Sequence, residues 1–468
     1  MSLLPMDRAD LIEIVGKAIK NWHRDDLATS RLHELRIVKN ELKSHPRNEP
    51  TELALRLAVK SILQNALDML AKKEPDYHNI LQLRFMDKLT LSATSDQIHK
   101  SIPTIARNQN DAFESITDML IEQEKEAAEY AAQDQEWRLP DPTYTKLFGV
   151  SDVIDNITKL LINRDDYFMV ALVGMGGIGK SSLAREIARQ VIRAFQFHDV
   201  IWIHFTQETN TLVRSPESIY AHVVSQLANK LVANLPPMGV AQQEKLIRQH
   251  ITKLPYFIVI DNLELEHDIA PLVERLQSLT NPSKILFGSR SHPPQPTVYC
   301  YNLTEIPQND AYEFVKYLTR NTNVDQVPPL LFTKIYKAVG GNPLALRLVV
   351  SLLKHLPFRE ILPTIENGRD DTYQMYQRIY LRIWRVLTAE AKAVLMAMAM
   401  ADLDLGIESD DLKELCMLDA NVFWRAIREL RYNSLLEYHG TAEDRTYTIH
   451  RLTETFILKD IVKLFDDL

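Results

Sequence analysis

Phe168-Met-Val-Ala-Leu-Val-Gly-Met-Gly-Gly-Ile-Gly-Lys-Ser-Ser-Leu183 is the stretch on which the reading of the chain turns. An apolar run, Phe168 to Val173, leads directly into Gly174, Gly176, Gly177 and Gly179, four of only 13 glycines in 468 residues. The stretch from Lys180 to Phe195 then places Leu183, Ile187 and Val191 at helical spacing. Strand, glycine turn and helix therefore follow one another without interruption. The pattern fits G-x-x-x-x-G-K-[ST], with Gly174, Gly179, Lys180 and Ser181 at the required positions. It arises by accident in about one per hundred chains of this length.

The spacing has a physical reason. Successive backbone N–H groups must curl around a phosphate chain, and side chains would block that approach. The helix that begins near Lys180 aims its free N–H groups and its dipole at the same anion. Gly174, Gly176, Gly177, Ile178, Gly179, Lys180, Ser181 and Ser182 are thus the candidate phosphate cradle. Lys180 is expected to reach the β- and γ-phosphates of ATP or ADP, and the Ser181 hydroxyl to ligate Mg²⁺.

A phosphate loop on an open α/β sheet needs a carboxylate at the tip of a neighbouring strand to hold the magnesium shell. Tyr256-Phe-Ile-Val-Ile260 followed by Asp261 supplies one. The next residue is Asn262, where many ATPases carry a second acid. An amide positions water but accepts no proton, so slow hydrolysis is expected unless Glu264 or another carboxylate takes over. Lys284 to Gly288 reads as a further buried strand, followed by Ser289 and Arg290. Arg290 is either a surface guanidinium or a sensor of the γ-phosphate. Lys180, Asp261, Asn262 and Arg290 are the candidate catalytic set.

Composition bounds the rest. Apolar residues make up 46% and charged residues 25%, an ordinary globular balance that excludes fibrous repeats and wholesale disorder. The 54 basic and 62 acidic side chains leave a net charge of −8, which opposes coating of nucleic acid or anionic membrane. Cys300 and Cys416 are too few and too far apart for a disulfide framework or a zinc site. The uncharged run Ala393 to Ala401 falls short of the ~20 residues a membrane helix needs. MSLLPMDRAD lacks the pattern of a signal peptide, so a cytoplasmic location is expected.

Read together, VALVGMGGIGKSSLAREIA, YFIVIDN, KILFGSR and GGNPLAL resemble, in order and spacing, the NB-ARC family of signal-transducing ATPases, the STAND class. The resemblance runs from Leu147 to the C-terminus. It implies an α/β P-loop NTPase domain with a parallel sheet, flanked by an all-α N-terminal region and by C-terminal helical and winged-helix domains. Leu147-Phe-Gly-Val-Ser151 is similar to the family motif that packs near adenine, which implicates Phe148 and Gly149; Val150 stands where the family has arginine. Pro343 of Gly341-Asn-Pro-Leu-Ala-Leu346 inherits a place against the nucleotide. Ile449-His450-Arg-Leu452 sits where the family has its M-H-D motif, so His450 would contact the β-phosphate of ADP. Beyond Thr388 short helices precede a strand pair, Ser434 to Tyr438 and Arg445 to Ile449, and a last helix.

The first third is nearly free of glycine, and Leu53, Leu55, Leu57, Val59, Ile62, Leu63 and Leu67 suggest a helix. Ile80 to Leu120 resembles the helix-turn-helix of sigma-factor region four. Helices are expected over 79–86, 92–98 and 103–116, with Ser95 and His99 replacing the usual small residue and turn glycine. Arg107, Asn108, Gln109 and Asn110 suit a DNA contact, whereas Asp111, Glu114 and Asp118 oppose it. DNA is a possible but not favoured partner. Ile121 to Trp137 extends a helix, and Pro140 and Pro142 mark a linker. The expected division is 1–75 and 76–122 helical, 123–146 helical extension and linker, 147–304 nucleotide-binding, 305–366 helical and 367–468 winged helix.

The resemblance implies a switch in which exchange of ADP for ATP drives rearrangement and a nucleotide-dependent homo-oligomer, with a protein effector or sensor as partner and no membrane role. Two alternatives stand beside it: a transcriptional regulator whose ATPase gates DNA binding, and a metabolic P-loop ATPase or kinase.

Overall fold

The computed structural model describes residues 6–23, 31–43, 51–163, 167–205, 215–232, 235–263, 269–289, 292–320, 327–361, 372–401, 406–433, 435–440, 445–449 and 451–462. The chain divides into two compact units, Met1–Trp137 with Arg193–Phe195, and Arg138–Ile192 with Gln196–Leu468.

The described part of the first unit is helical: α1 (Arg8–Lys20), α2 (Arg36–Lys43), α3 (Glu52–Lys73), α4 (Pro75–Leu81), α5 (Leu91–Ile98) and α6 (Ile102–Trp137). Side-chain caps start several of them. Asp7, Thr51 and Thr90 each accept from a backbone N–H of the first turn. Leu11, Val15, Ile19, Leu63, Leu67, Phe113 and Ile116 share one core. Leu53 and Leu57, counted above in the apolar pattern, are instead 59% and 57% exposed; the buried stripe of α3 begins at Ala58. The helix expected over 79–86 is α4 followed by a π-helical turn, Gln82–Met86. The last expected helix and its extension are one continuous helix, α6. Inside this core the Glu124 carboxylate accepts from the Arg36 and Ile37 N–H groups at 2.8 and 3.0 Å, capping α2. Burial pushes that carboxyl above the usual range, while the two N–H groups oppose the shift.

In the second unit α7 (Ser151–Ile162) precedes β1 (Met169–Val173), α8 (Lys180–Arg193), β2 (Asp199–His204), α9 (Pro216–Leu231), α10 (Val240–Ile251), β3 (Tyr256–Asp261), α11 (Ala270–Gln277), β4 (Lys284–Ser289) and β5 (Val298–Asn302). The strands form one parallel sheet in the order β2-β3-β4-β1-β5. Every residue of β1, β3 and β4 is buried, as expected for a parallel sheet covered on both faces. Met169, Ala171, Ile258, Ile260, Ile285 and Phe287 pack with Val223, Leu227, Ile247 and Leu272 from the helices. Strand alternation sends Val170, Leu172, Val259 and Leu286, also buried, to the other face.

The chain continues through α12 (Gln308–Thr319), α13 (Pro329–Val339), α14 (Pro343–Leu353), α15 (Thr372–Val386), α16 (Ala389–Met400), β6 (Ile407–Glu408), α17 (Ser409–Cys416), α18 (Ala420–Tyr432), β7 (Glu437–Gly440), β8 (Arg445–Thr448) and α19 (Arg451–Phe456), ending in a π-helical turn, Ile457–Val462. β6, β8 and β7 form a small antiparallel sheet. One core runs from Ile306 to Ile461 through the helices α12 to α19, β6, β8 and the final turn. Among the described residues no helix is long and apolar enough to cross a membrane.

Candidate functional site

β1 ends at Val173, and the Gly174 N–H donates to the Ser289 carbonyl at the tip of β4. The loop that follows needs glycine for backbone reasons at two places. Gly177 has φ +72° and Gly179 φ +101°, values that L-residues with side chains rarely adopt. A Cβ on Gly177 would lie 2.8 Å from the Tyr376 hydroxyl and 2.9 Å from Leu344 Cβ, whereas one on Gly179 would meet nothing within 4 Å. Space is thus tight at Gly177 and open at Gly179.

Lys180 opens α8. Its ammonium donates to the Gly174 and Met175 carbonyls at 2.7 and 3.0 Å, and its stem passes over Gly288, 3.7 Å from where a Cβ would stand. The cation is therefore already held above the loop. The Ser181 hydroxyl donates to Asp261 Oδ1 at 2.7 Å. This brings the two expected metal-side groups together, although β3 is not the neighbour of β1: β4 lies between them. A hydroxyl and a carboxylate are hard oxygen donors that fit Mg²⁺ alongside phosphate oxygens and water. Among the described residues no group of three or more His, Cys, Asp or Glu could hold a metal by itself.

Asn262 sits beside Asp261 in the left-handed region, φ +59°, which asparagine tolerates. Its amide nitrogen donates to the Phe205 carbonyl at 2.7 Å, so the side chain ties the tips of β2 and β3 together. His204, at the end of β2, places Nδ1 3.5 Å from Asp261 Oδ2. Sequence spacing gave no signal for that neighbour, because only the register of β2 with β3 pairs His204 with Asp261.

Pro343 takes the first position of α14, where its missing N–H costs nothing. The buried Asn342 before it caps the helix, its Oδ1 accepting from the Leu344 and Ala345 N–H groups at 3.1 and 3.3 Å. The same amide donates through Nδ2 to the Gly176 carbonyl at 3.2 Å, and the Leu344 N–H points to the Gly177 carbonyl at 3.4 Å. An asparagine before proline at a helix start was readable as a cap, but its second contact was not. Glu305 holds the preceding turn by accepting from the Gly341 N–H at 3.0 Å.

Phe148 and Gly149 meet α12. The Phe148 ring packs on Phe314 and Tyr317 of α12 at 5.4 and 5.6 Å, and Gly149, with φ +67°, faces Asp310. From that segment it is Tyr144 that reaches α8, its hydroxyl 3.3 Å from the Ser182 carbonyl and 3.1 Å from the Glu186 carboxylate. Burial, with the Glu186 charge second, pushes the Tyr144 phenol up to about 12. Arg290, His450 and Glu264 lie outside the described residues.

With this geometry in hand, the family model described as "NB-ARC domain" matches residues 150–321. A "Probable disease resistance protein" of Arabidopsis thaliana is 24% identical over 223 residues, 44% of this chain and 23% of that protein. Disease resistance protein TAO1 of Arabidopsis thaliana is 21% identical over 273 residues, 55% of this chain and 22% of that protein. The chain spans less than a quarter of the length of these two curated relatives. Among solved structures, the STAND protein with a tetratricopeptide repeat sensor from Pyrococcus horikoshii aligns over 68% of this chain and 43% of its own, at 19% identity and a TM-score of 0.45. The family match falls on the stretch that builds the loop and the acid strand: residues 150–321 match the NB-ARC domain, a P-loop NTPase domain.

Proposed function

We propose that the protein is an ATP/ADP-dependent molecular switch, in which the state of the phosphate loop sets the arrangement of the helices beyond residue 305. The observation that carries this reading is the contact of Asn342 and Leu344 with the Gly176 and Gly177 carbonyls. The helix bearing the G-N-P-L motif is bonded to the loop itself, so a change in loop shape on nucleotide exchange reaches α14 without an intermediary. A ligand shifts such an equilibrium only through different contacts in the two states. Lys180 would leave its carbonyl partners for the β- and γ-phosphates, and Ser181 and Asp261 would hold Mg²⁺. Bound Mg²⁺ supplies charge neutralisation at the phosphates. Asn262 can orient water but cannot take its proton, which suits slow hydrolysis.

In this reading 147–304 is the nucleotide-binding part, 305–366 a helical subdomain and 367–468 a winged helix that acts as a lid. The order α16, β6, α17, α18, β7, β8 supports the last assignment. Signalling through a homo-oligomer and a protein partner belongs to the same reading, as the resemblance to the NB-ARC family implies. Binding of DNA by the first unit has less support: Arg107 lies 3.9 Å from the Asp111 carboxylate, and Arg8 pairs with Glu114 and Asp118 on α6.

The test is the nucleotide retained through purification. ADP in near-stoichiometric amount, lost in Lys180→Ala, is the expected result. Nucleotide-free protein that gains no thermal stability from added ADP or ATP would remove the switch reading.

A further inference from the structure

Tyr376, on α15, is a further feature of the loop's surroundings that the sequence did not flag. Its side chain is buried, 2% exposed, yet its hydroxyl has no hydrogen-bond partner among the described residues. That hydroxyl lies against Gly177, 2.8 Å from the position a Cβ would take there. A phenol withdrawn from water without a partner is unfavourable by enough that such groups are rare in native proteins. Burial raises this phenol well above its usual range, so at neutral pH it is a proton donor. A neutral donor held beside a phosphate loop has an obvious class of acceptor.

We propose that Tyr376 is a nucleotide ligand: its hydroxyl donates a hydrogen bond to a phosphate oxygen of the nucleotide seated in the Gly174–Ser181 loop. The inference rests on the nucleotide-switch reading and deepens it, because it gives α15 its own contact with the ligand. α15 is in turn tied to the end of the chain. The Tyr380 ring stacks on Phe456 at 5.3 Å, the Thr453 hydroxyl reaches the Tyr380 hydroxyl at 3.1 Å, and Gln377 donates to Asp460 at 2.7 Å. One turn of helix thus separates a group at the phosphates from groups on α19 and the final π-helical turn. Occupancy of the loop is felt at the last described elements through Tyr376 and Tyr380.

The experiment is Tyr376→Phe, which keeps the ring and removes only the hydroxyl, with fluorescent N-methylanthraniloyl-ADP as the probe, titrated with and without Mg²⁺. The expected result is about tenfold weaker binding in both conditions, since the contact bypasses the metal. Thermal stability of the nucleotide-free protein is expected to be unchanged or raised, because an unpartnered buried hydroxyl has been deleted. Affinity within twofold of the wild type overturns the proposal and means that water serves the hydroxyl. A fall in nucleotide-free stability also overturns it, since the hydroxyl then has a structural bond. If wild type and Lys180→Ala both fail to bind the probe, the nucleotide reading itself has failed, an outcome distinct from a wild type that binds and a Tyr376→Phe that binds equally well.

Discussion

Two of the turns that take left-handed backbone do so with different residues. The phosphate loop uses Gly177 and Gly179, at φ +72° and +101°, while the turn between α5 and α6 uses His99, at φ +58°. His99 is exposed at a helix end, so its side chain only has to tolerate the backbone. At Gly177 a side chain would also meet Leu344 and Tyr376. Gly179 combines a φ beyond the left-handed helical well with empty surroundings, the combination a loop needs when a ligand must approach its backbone. Backbone conformation alone therefore does not mark a site. Glycine marks one where conformation and clearance are both demanded.

The largest effect expected from breaking this contrast is at Gly177. Gly177→Ala adds left-handed strain of about 1 kcal/mol and an overpacked contact of about 1–3 kcal/mol, so the melting temperature of the second unit and its ADP affinity fall together. Next comes Lys180→Ala, where stability changes little but loss of charge-assisted contacts weakens ADP binding by about a hundredfold in equilibrium titration. Asp261→Asn separates the metal from the cradle. The advantage that Mg²⁺ gives to ATP binding drops by about tenfold, while Mg²⁺-free binding stays near wild type. The smallest effect has the opposite sign. His99→Gly relieves the left-handed penalty, and after the added freedom of the unfolded chain a gain of about 0.5 kcal/mol remains in denaturant unfolding. Equal losses at Gly177 and His99 would mean that conformation alone distinguishes neither turn.

What the sequence made legible was local. Strand, loop and helix from Phe168 to Arg193, the acid at the end of Tyr256–Asp261, and the proline that starts α14 all announce themselves over short stretches of chain, because glycine, proline and alternation act on neighbouring backbone. Strand order was not legible in this way. Placing β4 between β1 and β3 depends on crossovers whose lengths fit several orders, and the Ser181–Asp261 contact spans that gap. Asn262 shows the same limit from the other side: its contact with the Phe205 carbonyl depends on β2 lying beside β3, which its own stretch of sequence does not announce. Leu53 and Leu57 fell into an apolar pattern that the core of the first unit does not use. Tyr376 gave no signal at all, since an aromatic residue on an amphipathic helix reads as core until its hydroxyl is found against the loop.

The helix Ile102–Trp137 has a mechanical corollary. Its 36 residues run without a break, and at 1.5 Å per residue they make a rod about 54 Å long. Tilting such a rod by about 10° at one end sweeps the other through about 9 Å. An input that is small where the rod is anchored becomes, at its far tip, a displacement comparable to the diameter of a helix.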